Sequence, residues 1–270
     1  MAKDAKSAFC EDSRVKFPTL MHLMGMGFKY VSLKGLKTKY VEAPKTEFDP
    51  LTNILTDYFT DAYCTLNPKA EKKDAEDMLV KIQKSLQNDD LGRQFYNEIL
   101  LNTGERIIDL SSPVNFYKNN TFQVATEMTC GSKDSDNYRP DITIFVNGLP
   151  LAFIEVKKEN NHKGIQAETD RMKQRFVNPQ YRRFLNITQI MVFSNDMEYD
   201  NNEVTPTIGA FYATIGKKNT KYNCFREEGQ DSFPTARHIH QVTPEEEEVL
   251  LRDNNVPQYK NSSEYKTNCL

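Results

Sequence analysis

A chain of 270 residues that is 38% hydrophobic and 27% charged can bury a sizeable core and is too apolar to be disordered throughout. No apolar run reaches the length of a membrane span, Met1 to Lys6 are charged with no apolar stretch behind them, and five scattered cysteines never form a Cys-x-x-Cys pair. A membrane protein, a disulfide scaffold and a zinc module are thereby set aside, and the chain is expected to be cytoplasmic with reduced thiols. The net charge of −3 would speak against a nucleic-acid partner if it were evenly spread. It is not: residues 157–183 hold eight Lys or Arg against three acids, whereas residues 225–270 hold five basic and nine acidic residues.

In chain order, apolar residues at Val15, Leu20, Leu23 and Met24 predict a helix from Arg14 to Met26, with Pro18 in its first turn and Gly25 and Gly27 ending it. A short strand is expected at Tyr30 to Leu33. Asp49-Pro50 suggests an N-cap followed by a first helical residue, opening a helix to about Leu66. Further helices are expected near Ala75 to Leu86 and Leu91 to Leu101. From Arg106 the pattern changes to short runs of Ile, Val, Phe and Thr, which predict strands at Arg106 to Leu110, Thr121 to Met128, Asp141 to Val146 and Leu151 to Val156. A helix from Lys163 to Phe176 and strands at Ile187 to Phe193 and Thr207 to Thr214 follow. Together these elements predict an α/β fold with a mixed central sheet flanked by helices and a helical N-terminal part. Residues 1–225 form the expected domain, and residues 226–270 read as a polar linker or tail with one short helix at Glu245 to Glu248.

The densest chemical signal is the segment Arg139-Pro-Asp-Ile-Thr-Ile-Phe-Val-Asn-Gly-Leu-Pro-Leu-Ala-Phe-Ile-Glu-Val-Lys157. Asn147-Gly148 between two β-rich runs is a hairpin turn signal. Side chains alternate along a strand, so Glu155 and Lys157 share a face while Ile154 and Val156 point the other way. A three-residue loop at 147–149 would set Asp141 opposite Glu155, and a four-residue loop would set it opposite Val156 unless a bulge restored the face. Two carboxylates on one face repel one another unless a cation lies between them, and oxygen-only ligation suits Mg²⁺. Such an ion would polarise a scissile phosphate and lower the pKa of an attacking water, with Lys157 positioning that water or neutralising the phosphate.

Pro140-Asp141, then Glu155 fourteen positions later, then Lys157, resembles the PD-(D/E)xK nuclease signature. The intervening Ile-Thr-Ile-Phe-Val-Asn-Gly-Leu-Pro-Leu, the opening Glu11-Asp-Ser-Arg-Val-Lys-Phe-Pro with Met24-Gly-Met-Gly-Phe-Lys-Tyr30, and Phe184-Leu-Asn-Ile-Thr-Gln-Ile-Met-Val-Phe-Ser-Asn195 resemble the nuclease domain of type I restriction enzyme restriction subunits over residues 10–215. The resemblance implies a restriction-endonuclease-like fold and Mg²⁺-dependent endonucleolytic cleavage of DNA, with Mn²⁺ able to substitute. It implies Asp141 and Glu155 as metal ligands, the Val156 carbonyl as a third, and Lys157 as the catalytic lysine. The partners it implies are double-stranded DNA and the modification and specificity subunits of a restriction complex. Many relatives carry Gln and Tyr four residues apart on the following helix; here Gln166 is followed at that spacing by Asp170 and Gln174 by Asn178, so no residue is carried over from that motif. Glu11 reads either as an additional acid near the metal or as a helix cap.

Each signal has a plainer reading. Asp141, Glu155 and Lys157 can form a strand-end salt bridge, and Lys158, Lys163, Arg171, Arg175 and Arg182, grouped as DNA contacts, can be the solvated face of a helix packed through Ile165, Met172 and Phe176. His238-x-His240 lies in a polar segment with no cysteine nearby and reads as inert. Gly216-Lys217-Lys218 lacks the spacing and the Ser or Thr of a phosphate loop, so ATP is expected to act only through motor domains outside this chain, which reads as a fragment. The rival functions are a stand-alone nuclease of the same signature and a catalytically inactive DNA-binding or scaffold domain.

Overall fold

The computed structural model describes residues 11–33, 48–102, 104–130, 138–158, 164–195, 210–214, 223–224 and 240–254. It contains a wide π turn at Asp12–Lys16 running into α1 (Phe17–Gly25), then β1 (Lys29–Tyr30), α2 (Thr56–Leu66), α3 (Lys72–Ser85) and a second π-helical segment at Phe95–Leu100. Next come α4 (Pro113–Asn119), β2 (Phe122–Thr126), β3 (Ile142–Val146), β4 (Leu149–Val156), α5 (Gly164–Val177), α6 (Arg182–Ile187), β5 (Ile190–Ser194), β6 (Ala210–Thr214), β7 (Asn223–Cys224) and α7 (Pro244–Asp253). The strands form one seven-stranded sheet in sequence order, five of them at least five residues long, with two-residue strands at the edges. Pairing is parallel for β1–β2 and β4–β5 and antiparallel elsewhere, so the mixed sheet flanked by helices expected from the sequence is the observed fold.

Because side chains alternate across the sheet, its two faces carry different cores. Ile142, Ile154 and Val156 pack with Val15, Leu20, Leu23 and Met24 of the first helical stretch and with Val249 and Leu250 of α7. Phe153, Met191 and Phe193 pack on the other face with Met172 of α5 and with Tyr181, Phe184 and Leu185. The helical third, from α2 to Leu100, buries Phe59, Met78, Ile82, Phe95 and Ile99 against Val146 and Leu149 at the turn end of the β3–β4 hairpin. Strand β4 is thus covered on both faces, with Glu155 at its C-terminal end and Lys157 just beyond it.

Several local expectations are corrected. Asp49 caps a turn instead of a helix: it accepts from the Leu51 amide and the Thr52 hydroxyl, Asn53 adopts φ 61°, and α2 starts only at Thr56. Residues 106–110 form no strand although Ile107 and Ile108 are buried. Their backbone is satisfied by side-chain amides, with the Arg106 amide donating to Asn67, the Asp109 amide to Asn120, and the Ile107 carbonyl accepting from Asn147. Apolar alternation there reflects burial without sheet pairing. Helices α4 and α6 are not anticipated, and α6 occupies residues 182–187, just ahead of the start of the strand at Ile190. Its single turn and a half is held by packing of Phe184 and Leu185 and by the Asn186 amide, which donates to the carbonyls of Leu86 and Asn88. Gly92 (φ 76°) makes this docking possible, since a Cβ there would lie 2.1 Å from the Asn186 carbonyl oxygen.

Within residues 226–270 the described segment 240–254 contains a packed helix. Thr243 and Glu246 form a capping box at the start of α7, Val249 and Leu250 are buried against α1, and the Tyr30 hydroxyl donates to Asp253 at 3.3 Å. Full burial of two such aliphatic side chains is worth about 2 kcal/mol each, so α7 is bound to the domain and does not trail from it. No helix among the described residues is long and apolar enough to cross a membrane.

Candidate active site

The hairpin sets Asp141 opposite Glu155 by an unexpected route. Its loop has two residues, Asn147 (φ 52°) and Gly148 (φ 76°), the left-handed pair that an Asn-Gly turn supplies, and Val146 pairs with Leu149 instead of Pro150. Continued without interruption, that pairing would set Asp141 against Ile154, on the wrong face. A bulge intervenes: Phe145 pairs with Pro150 but Ile144 pairs with Ala152, leaving Leu151 as the extra residue. The register then runs Thr143 to Phe153 and Ile142 to Ile154, and one step further sets Asp141 opposite Glu155. The bulge therefore does what the three-residue loop was expected to do.

At this end the Val156 peptide organises the site. Its amide donates to Asp141 Oδ2 at 2.9 Å, and its carbonyl accepts from Lys157 Nζ at 2.9 Å. Lys157 also lies 3.9 Å from Glu11 and 3.5 Å from Glu168. Burial works against the Lys157 charge, but Glu11, Glu168, Asp141 and Glu155 outweigh it and hold its pKa above the ordinary lysine value. The side chain is therefore cationic.

Glu155 is in the opposite situation. Its side chain is almost wholly buried, its pKa is pushed up to about 8 by burial and by the charges of Asp141 and Glu168, and Oε1 has no well-formed hydrogen bond. The nearest groups on that side are the Tyr138 phenol, close enough for each to influence the other's protonation, and the Arg175 guanidinium at 4.0 Å. Burial likewise raises Glu11, with Asp141 and Asp12 adding to it against the pull of Lys157. The wide π turn brings a second buried cation nearby: Lys16, fully buried, bonds Glu127 at 2.8 Å and lies 3.5 Å from Asp12. The Glu127 amide in turn donates to the Asp141 carbonyl at 3.3 Å.

Two facing carboxylates and a carbonyl, one carboxylate oxygen being buried and unsatisfied, fit a small hard cation that keeps part of its water shell. Among the described residues no three His, Cys, Asp or Glu side chains form a metal-holding group. The Cys64 thiol is free and half-buried, whereas the free Cys130 thiol is fully buried near the site, its pKa pushed well up by burial and by the charge of Glu155 against the pull of Arg175.

The described members of the expected DNA-contact set differ in their surroundings. Lys158 is exposed, Arg171 is 62% exposed and Arg182 is half-buried, but Lys163 lies outside the described residues. Arg175 turns inward: it bonds Glu168 at 3.0 Å and stacks on the Tyr138 ring at 3.8 Å. His238 and Gly216 to Lys218 also lie outside the described residues, and His240 bonds Glu246. Sequence reasoning missed Glu168, whose side chain is 1% exposed and meets Lys157, Arg171 and Arg175. The signal was present as Glu168-x-x-Arg171-x-x-x-Arg175, a spacing that aligns an acid and two cations on one helix face.

No curated protein matches the chain significantly. The family model described as type I restriction enzyme R protein N terminus matches residues 9–204, a span that includes Glu11, the hairpin, α5 and β5. By that match over most of its length, the chain belongs to the family of type I restriction enzyme R protein N-terminal domains.

Proposed function

We propose that this chain is the Mg²⁺-dependent endodeoxyribonuclease domain of a type I restriction complex, acting on double-stranded DNA in the cytoplasm beside modification and specificity subunits. The observation that carries the reading is the pairing of Asp141 with the buried, incompletely bonded Glu155 on the face that also presents the cationic Lys157. Asp141, Glu155 and the Val156 carbonyl would hold the ion; bound there, Mg²⁺ supplies Lewis acidity toward a phosphate oxygen and makes a water more acidic. Asp141 is oriented for this task by the Val156 amide. Lys157 keeps a positive charge where a phosphodiester would enter, countering charge that builds on the phosphate in the transition state. Exposed Lys158 and Arg171, with Arg182, offer sequence-independent phosphate contacts. ATP would act only through motor domains outside this chain.

The experiment is nicking of supercoiled plasmid by the chain with Mg²⁺, with Mn²⁺ and with chelator, alongside Asp141→Ala. Metal-dependent nicking that Asp141→Ala abolishes supports the reading; its absence with either metal sinks it. A scaffold without catalysis is favoured by one observation, the internal neutralisation of Lys157 by Glu11 and Glu168, and predicts salt-sensitive DNA binding with no nicking.

A further inference from the structure

We infer that Glu168 and Arg175 of α5 are positioning residues that hold Lys157 and Glu155 side by side on the catalytic face, and that Arg175 serves this site from within instead of contacting DNA. The inference rests on the nuclease reading above. Three observations carry it, all geometric.

First, Glu168 is a buried carboxylate (side chain 1% exposed) with three cationic neighbours: Lys157 at 3.5 Å, Arg171 at 2.9 Å and Arg175 at 3.0 Å. A buried charge is retained only where it is paired, and this one is paired with the lysine of the signature. Second, the Arg175 guanidinium is fixed from several sides. It bonds Glu168 Oε1, approaches Met172 Sδ at 3.3 Å, lies on the Tyr138 ring and reaches within 4.0 Å of Glu155 Oε1, while its side chain is only 20% exposed. A planar guanidinium can lie flat on a ring and bridge carboxylates in its plane; an ammonium cannot do both. Third, α5 is anchored by Met172, fully buried against Phe153 and Phe193 of the sheet, so the helix places Glu168 and Arg175 over β4 at a fixed height. Lys157 would otherwise have the Val156 carbonyl and a 3.9 Å contact to Glu11 as its other anchors.

Glu168→Gln keeps the shape of the side chain and removes its charge. Expected are a kcat for plasmid nicking at least about tenfold lower, an unchanged KM for DNA and retained Mn²⁺ binding by calorimetry, the range seen when a group supporting a metal-site residue is lost. Arg175→Lys keeps the charge and loses the fork and the stack; it should restore the melting temperature lost in Arg175→Ala but not the rate. Independently of activity, the Lys157 ammonium resonance in ¹⁵N-labelled, metal-free protein, assigned through Lys157→Arg, should shift or broaden in Glu168→Gln. An unmoved resonance, or a wild-type kcat in Glu168→Gln, overturns the inference even where the wild type cuts DNA. Full rate in Arg175→Lys overturns the part assigned to Arg175. A moved resonance in a protein that never nicks DNA sinks the nuclease reading and leaves the arrangement of Lys157 by Glu168 standing.

Discussion

The two ends of the β3–β4 hairpin bury polar groups in opposite ways. At the turn, Asn147 Oδ1 accepts from the Thr121 amide at 2.8 Å, and its amide donates to the Ile107 carbonyl at 2.9 Å and to Asn120 at 2.8 Å. Asn120 passes its own amide to the carbonyls of Asp109 and Phe116, so the network closes on itself. At the other end two carboxyl groups, Asp141 and Glu155, are set together so that ionising both is disfavoured, and Glu155 Oε1 lacks a formed bond. A satisfied neutral network stabilises a fold, whereas crowded carboxylates destabilise it unless a cation joins them. The hairpin is therefore built for stability at its turn and, on the proposed reading, for binding a cation at its open end.

The largest expected effect falls at the open end and should leave the fold intact. Asp141→Ala and Glu155→Ala are expected to abolish metal binding and to lower plasmid nicking by roughly a hundredfold or more, with melting temperatures equal to or above that of the parent. Lys157→Ala should lose rate to a similar degree while still binding Mn²⁺. A matching fall in melting temperature for all three in metal-free protein would show that the site is a structural salt bridge, and the comparison of the two ends would collapse.

At the turn end the signs reverse. Asn147→Ala strands the Thr121 amide and the Ile107 carbonyl and removes one of the donors to Asn120 Oδ1, and a loss of about 3 kcal/mol in denaturant unfolding is expected, with Mn²⁺ affinity of the folded fraction unchanged. Gly148→Ala should be at least as damaging, because a Cβ there would lie 2.5 Å from the Leu55 carbonyl oxygen at a φ of 76°. Stability unaffected by Asn147→Ala would remove the contrast.

A pH series sharpens it further. Glu155 is raised from the ordinary value of 4.5 to about 8, first by burial and then by Asp141 and Glu168. Between these values the folded protein holds a proton that the unfolded chain has released, so metal-free stability should fall as pH rises across that window and level off above it. Glu155→Gln should flatten this slope, and Mn²⁺ should release close to one proton on binding at pH 6 but none at pH 9.5 in calorimetry across buffers of different ionisation enthalpy. A slope identical in Glu155→Gln would contradict the assignment.

The smallest effects belong to the exposed cations. Lys158→Ala and Arg171→Ala should each change stability by less than about 1 kcal/mol and weaken DNA binding uniformly across sequences, lowering the salt slope by about one unit. A strong sequence preference lost in either variant would point to base reading instead.

Much of this contrast was legible along the chain, though unevenly. The turn end was readable because an Asn-Gly pair needs only its own backbone preferences to form a hairpin turn, and the alternation of β4 put Glu155 and Lys157 on one face. Other elements escaped for identifiable reasons. Residues 106–110 carry strand-like residues but meet amide side chains instead of a partner strand, and α6 is too short to announce a helical period before Phe184 and Leu185 find their core. The short helix expected at Glu245 to Glu248 is α7, but the polar composition of residues 226–270 hid its packing, which two buried aliphatic residues secure once α1 offers a complementary face.

The sequence by itself determined the chemistry available: which residues carry charge, where the hairpin turns, which strand positions share a face, and the resemblance that the family match bears out. Those are properties of short stretches, dictated by backbone preference and alternation. The tertiary structure alone decided which of these groups meet. It placed the bulge at Leu151, which brings Asp141 opposite Glu155, and it turned Glu168 and Arg175 inward beneath Lys157 and Glu155. The reason is that a register and a buried ion pair depend on the packing of both faces of β4 at once, between α1 and α7 on one side and α5 and α6 on the other, and no local stretch of chain encodes that sum.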